Sequence, residues 1–110
     1  MWVITTQGFY SIVRKPNDRP GQLTIRTRRL ADLERFRQAV PLATEIETHA
    51  GTDYEYRCHA TQADVAAWLS GQVMEIKYSN FKSAVCDALG HGYELVLHRV
   101  WSELHRLSSL

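Results

Sequence analysis

Only two cysteines occur in the 110 residues, Cys58 and Cys86, and they stand 28 positions apart with no CxxC pairing. A disulfide-dense secreted miniprotein is therefore excluded. The pair reads as two buried free thiols acting as small hydrophobes, with a single bridge between them as the alternative. No apolar run approaches the roughly 20 residues that a membrane-spanning helix needs. The start, Met1-Trp2-Val3-Ile4-Thr5-Thr6, lacks the basic region and long apolar stretch of a signal peptide. A cytoplasmic, non-membrane protein is expected. Charge of one sign is also lacking: 13 basic side chains face 12 acidic ones, for a net +1. That excludes a histone-like polycation. Six glycines, three prolines and no repeat exclude a collagen-like chain. What is present is ordinary globular material, 45% hydrophobic and 23% charged, which excludes a disordered chain.

The near-zero net charge hides an asymmetry. Residues 1–43 carry eight basic and three acidic side chains, a balance of +5, whereas residues 44–110 carry five and nine, a balance of −4. Opposite halves either neutralise each other across the fold or leave one basic and one acidic surface that steers partners.

Trp2–Thr6 and Phe9–Arg14 are rich in β-formers and are joined by Gln7-Gly8, which predicts a hairpin. Phe9 and Trp2 are expected to anchor the edge of the core. Pro16 to Gly21 is a loop. In Gln22–Arg28, Leu23, Ile25 and Thr27 point one way and Thr24, Arg26 and Arg28 the other, giving a half-buried strand with a basic outer face. Leu30, Leu33, Phe36 and Val40 then mark a helix that Pro41 ends. Thr44–Thr48 is a short strand candidate and residues 49–53 a turn. Tyr54–Ala60 alternates again, with Tyr54, Tyr56, Cys58 and Ala60 expected inward and Glu55, Arg57 and His59 outward.

Thr61 and Asp64 resemble a capping box that opens a helix carrying Val65, Trp68, Leu69, Val73 and Ile76. Gly71 within it signals close packing or a break. Ser79 or Asn80 caps a further helix with Phe81, Ala84, Val85 and Ala88, which Gly90 and Gly92 stop. Tyr93, Leu97, Val100, Trp101, Leu104 and Leu107 stripe a last helix. The expected fold is one α+β domain over residues 1–110. It has an antiparallel sheet of four to five strands with helices on one face, in the order β-β-β-α-β-β-α-α-α. The stretch from the third strand to Ile76 has the element order of a split, partly ferredoxin-like βαβ unit.

Chemistry-bearing motifs are few. Glu94 and His98 are spaced i, i+4, and His105 lies one heptad beyond, but no third ligand is evident, so no metal site or cofactor is expected. Cys58 and His59 are neighbours on one strand and point to opposite faces, so they cannot form a nucleophile–base pair directly. No phosphate-cradling glycine motif occurs. A non-enzyme is expected. The informative feature is the outer sheet face, where Arg26, Arg28, Arg57 and His59 project together, softened by Glu55 and joined by Arg14 at the end of the second strand. Basic sheet faces engage nucleic-acid backbones, but those modules also present aromatic rings for base stacking. Tyr54 and Tyr56 alternate to the other side, which leaves Tyr10 as the only substitute.

The blocks Trp2-Val3-Ile4-Thr5-Thr6-Gln7-Gly8-Phe9-Tyr10-Ser11, Asp53-Tyr54-Glu55-Tyr56-Arg57 and Tyr78-Ser79-Asn80-Phe81-Lys82 are similar to those of a family of small bacterial proteins. That family carries WxxTxxGFYS, DYxYR and YxNFK blocks and a late Trp, here Trp101. The sequence departs from it at Lys77, where the family often has Asp. The resemblance implies no particular enzyme activity. In size and type such proteins also resemble phage and mobile-element accessory proteins, including anti-CRISPR inhibitors. The expectation is a non-enzymatic protein that inhibits a larger complex by occupying its surface, most specifically a subunit of a CRISPR effector. Either the basic face (Arg14, Arg26, Arg28, Arg57, His59, with Glu55) or the acids Glu45, Glu47, Asp53 and Glu55 would supply the contact. The alternative is a small RNA- or DNA-binding module using the basic face. Oligomeric state is left open.

Overall fold

Gly8 sits at φ 147°, which lets the chain reverse tightly between β1 (Trp2–Thr5) and β2 (Gly8–Val13). The computed structural model describes residues 1–51 and 53–110; Thr52, within the turn expected at residues 49–53, lies outside the described residues. β3 (Gln22–Thr27) pairs with β2, and β4 (Tyr56–Thr61) pairs with β3, so the sheet order is β1-β2-β3-β4. Every neighbouring pair is antiparallel. The element sequence is therefore the expected α+β one. The stretch from β3 onward closes as a meander, because β4 pairs directly with β3 and no parallel partner lies between them.

The Thr44–Thr48 candidate forms a single bridge, Glu47 to Arg57, and no full strand. It runs beside β4 with Thr44 N–H donating to His59 O at 2.8 Å and Glu47 N–H to Arg57 O at 2.8 Å. An irregular fifth strip thus covers the β4 edge.

α1 (Leu30–Ala39) and α2 (Gln62–Met74) both pack on one face of this sheet. Thr61 caps α2 by accepting the Asp64 N–H at 3.1 Å, as the capping signature predicts. Helix faces and strand alternation converge on Tyr10, Ile12, Ile25, Leu33, Phe36, Cys58, Val65 and Trp68. The rings of Tyr10, Phe36 and Trp68 meet at 5.0–6.2 Å in tilted and edge-on pairs, the geometry aromatic quadrupoles favour. Gly71 neither breaks α2 nor packs closely, since nothing lies within 4 Å of where its Cβ would stand. α2 ends at Met74, before Ile76, and both Val73 in its last turn and Ile76 beyond it are exposed and do not extend its core stripe.

Contacts divide the chain into two compact units, Met1–Ile76 and Lys77–Leu110. The second unit is a helical pair. Asn80 caps α3 (Phe81–Leu89) by accepting the Ser83 N–H at 2.9 Å. Gly90, at φ 98°, ends α3 and starts α4 (His91–Leu104), which tightens into a 3₁₀ turn over His105–Ser109. Val85 and Leu97 are buried, while Val100, Trp101, Leu104 and Leu107 are exposed. No helix among the described residues is long and apolar enough to cross a membrane.

Candidate functional site

Strand alternation sorts the first unit's sheet into two faces. Val3, Tyr10, Ile12, Leu23, Ile25, Tyr56, Cys58 and Ala60 face the helices. Trp2, Ile4, Phe9, Ser11, Thr24, Arg26, Arg57 and His59 therefore take the outer face. Register places Trp2 opposite Ser11, Ser11 opposite Arg26 and Arg26 opposite Arg57, one row across four strands.

Three expectations for the aromatic rings change, the first at Trp2, which is 75% exposed on the outer face and does not anchor the core edge. Tyr10 is fully buried, and its hydroxyl donates to Asp32 O at 2.8 Å, so it is not available on the outer face. Tyr54 goes the other way. β4 starts only at Tyr56, so the alternation does not reach back to Tyr54. Its ring lies on the outer face 6.3 Å from Phe9, which in turn meets Trp2 edge-on at 6.0 Å. The guanidinium carbons of Arg26 and Arg28 stand 4.5 Å and 5.1 Å from the Tyr54 ring centre. A line of three aromatic rings capped by two cations results, in which Tyr54 is buried beneath the arginines, Phe9 is half-buried and Trp2 is open at the outer end. The alternation of the hairpin already placed Phe9 opposite to Tyr10 and Ile12, which was the available signal for this face. The bend that turns Tyr54 over has no periodic signature.

Of the expected basic set, Arg26, Arg28 and Arg57 come together. Arg26 donates to the Ser11 hydroxyl at 2.7 Å, and the Nε atoms of Arg26 and Arg57 are buried without a hydrogen-bond partner among the described residues. Arg14 does not join them. It donates to Gln62 Oε1 at 3.0 Å, at the start of α2. Glu55 sits at the rim, 3.0 Å from His49.

His59 is on the outer face but is held from within. The loop before β3 folds Asp18 over the sheet, where its carboxylate accepts from Lys15 N–H at 2.7 Å and Thr24 hydroxyl at 2.8 Å. His59 Nδ1 lies 3.0 Å from Asp18 and Nε2 lies 3.4 Å from Glu47. This cluster borders a cleft of about 660 Å³ that Arg57 also lines. Burial alone would raise the Asp18 pKa, but the Lys15 N–H, the Thr24 hydroxyl and the His59 charge outweigh it and hold the carboxyl below 3.8. A carboxyl depressed in the folded state stabilises the fold above its unfolded pKa, and that contribution is lost as pH falls through the folded value. Asp18→Asn is therefore expected to lower the urea midpoint at pH 7, with the gap to the parent chain narrowing steadily below pH 4. A gap independent of pH would show that the carboxylate charge contributes nothing.

Nucleophilic chemistry finds little support in the thiols. Burial pushes Cys58 up to about 12, so it is a neutral thiol at physiological pH. Both cysteines are free, and Cys86 is only half-buried, unlike the expectation for it. Glu94 and His98 do not face each other as the i, i+4 spacing suggested. His98 Nδ1 lies 3.3 Å from Lys82 Nζ and its ring stacks on Trp101, while Glu94 turns to His91.

The fold and this face define an α+β sheet protein whose outer sheet face carries arginines and the exposed Trp2 ring. No family model, curated protein or solved structure matches the chain.

Proposed function

We propose that this chain is a non-enzymatic binding protein that works by laying the outer face of its sheet on a protein partner. The observation that carries this reading is the line Trp2–Phe9–Tyr54 with Arg26 and Arg28 over its inner end. Trp, Tyr and Arg are the residues that dominate binding energy at protein interfaces. The surrounding charge is balanced, since Glu47 lies beside Arg57 and His59, and Glu55 shares a cleft with Arg28 and His49. That balance suits a protein surface better than a phosphate backbone. In its specific form the protein is of phage or mobile-element type and occupies a CRISPR effector subunit. That form rests on a likeness in size and type to such accessory proteins. A cellular interference assay tests it: loss of immunity against a type I or type II system is expected, and intact immunity against all of them overturns it.

A second reading, a single-stranded RNA- or DNA-binding module, gains support from the same face, because the exposed Trp2 ring offers a base a stacking surface and the arginines offer charge to a backbone. Affinity capture from host lysate with the parent chain and an Arg26→Glu/Arg28→Glu variant, each with and without nuclease, separates the two. The protein reading expects a nuclease-resistant partner that the variant fails to retain. Partners lost on nuclease treatment, with recovery of nucleic acid, would transfer the face to the second reading.

A further inference from the structure

The reversal at Gly90 brings the last turn of α3 against the first turn of α4. On α3 this places Cys86, and on α4 it places His91 and Glu94, which are three apart and share a helix face. One donor atom from each of these three side chains lies within 4.8 Å of the other two. His91 Nδ1 is 3.0 Å from Glu94 Oε1, and the Cys86 sulfur lies within 4.8 Å of a donor atom of each. Asp87 adds a second carboxylate charge beside Cys86. Cys86 and Glu94 are half-buried, whereas the His91 side chain is 72% exposed and free to swing.

Sulfur, imidazole nitrogen and carboxylate oxygen form the mixed donor set that borderline divalent ions such as zinc accept. Around a tetrahedral zinc, donor atoms stand roughly 3.3–3.8 Å apart, as bond lengths of about 2.0–2.3 Å require. The three atoms lie within 4.8 Å of one another, a span that side-chain rotation can bring to those separations. We propose that Cys86, His91 and Glu94 form a binding site for one zinc-class transition-metal ion at the turn between α3 and α4.

On binding, the Cys86 thiol forms the sulfur–metal bond and releases its proton to solvent. The ion then neutralises the negative charge that the thiolate, Glu94 and Asp87 would otherwise concentrate at one point. Three protein donors leave a fourth position for water or an incoming ligand, the pattern of open rather than purely structural zinc sites. The site lies wholly within residues 77–110 and does not depend on the outer sheet face.

The test is a cobalt(II) titration of the full, tag-free, reduced chain, read by near-ultraviolet and visible absorption. One equivalent of cobalt is expected to give a thiolate-to-cobalt charge-transfer band and the intense visible bands of tetrahedral coordination, both displaced by zinc. Cys86→Ser should remove the charge-transfer band, and His91→Ala and Glu94→Gln should each weaken binding at least about 10-fold. His91 is exposed, so its variant keeps the fold, which far-ultraviolet circular dichroism checks. Absence of a charge-transfer band up to about 1 mM cobalt overturns the proposal, as a thiolate site should saturate far below that. A band that survives in Cys86→Ser also overturns it, by assigning the sulfur to Cys58, and so does a titration that His91→Ala leaves unchanged.

Discussion

Gly8→Ala is expected to remove about 3 kcal/mol of stability or more, enough to unfold much of the first unit, read as a collapse of the urea midpoint. Two costs add. At φ 147° an alanine is strained whatever the space around it. Space is also lacking, because a Cβ there would stand 2.7 Å from both Cβ and Oδ1 of Asp32. Asp32 is 1% exposed and cannot move freely. It pairs with Arg35 at 2.6 Å and accepts the Phe9 N–H at 3.2 Å, so displacing it breaks a partly buried ion pair and strips a strand donor together. Gly21→Ala is the control. Gly21 also has a positive φ, 76°, but nothing lies within 4 Å of the added Cβ, so it pays the conformational cost alone. If Gly8→Ala loses no more than Gly21→Ala, the Asp32 contact does not constrain this turn.

The Asp32 contact also shows where sequence reading stops. Gly8 is recognisable as a turn glycine from Gln7-Gly8 between two β-rich runs. Its second duty, admitting a buried carboxylate from α1, depends on a helix 24 residues further on and leaves no local trace. By contrast, the alternation of β3, the helix stripe through Leu33 and Phe36, and the caps at Thr61 and Asn80 are local patterns, and the structure follows them. Local rules also set the inward run of Tyr56, Cys58 and Ala60. They fail one step earlier, at Tyr54, because a period of two holds only while the chain stays paired.

The candidate sites divide along the same line. Arg26 and Arg57 were legible as one surface because both lie inside paired strands. Arg14 was not, since it lies beyond β2, and its side chain follows the helix side to Gln62. Cys86, His91 and Glu94 were hidden for a different reason. Gly90 marks a helix end in the sequence, but the angle at which the next helix leaves is a tertiary property, and only that angle brings Cys86 to Glu94. The i, i+4 spacing pointed instead to His98, which Lys82 and Trp101 engage.

Trp2→Ala is expected to weaken the partner complex at least about 30-fold, the scale of a hot-spot aromatic of about 2 kcal/mol or more. Folding stability should stay within about 0.5 kcal/mol, as for other substitutions of exposed side chains outside the core. The separation is possible because Trp2 is 75% exposed and touches the fold mainly through the edge of Phe9. It lies on the edge strand β1, while Arg26 lies on β3 at the opposite end of the aromatic line. The two ends therefore report on different partner chemistries. A protein partner seated on the rings would be lost with Trp2→Ala and would depend only modestly on salt. A nucleic acid would depend more on Arg26→Glu, and its affinity would fall steeply with salt as counterions are released. Equal binding by Trp2→Ala and the parent chain would remove the aromatic end from the site and leave the arginines to account for all of it. Measuring the two variants at two salt concentrations thus locates the contact on the face and names the class of partner together.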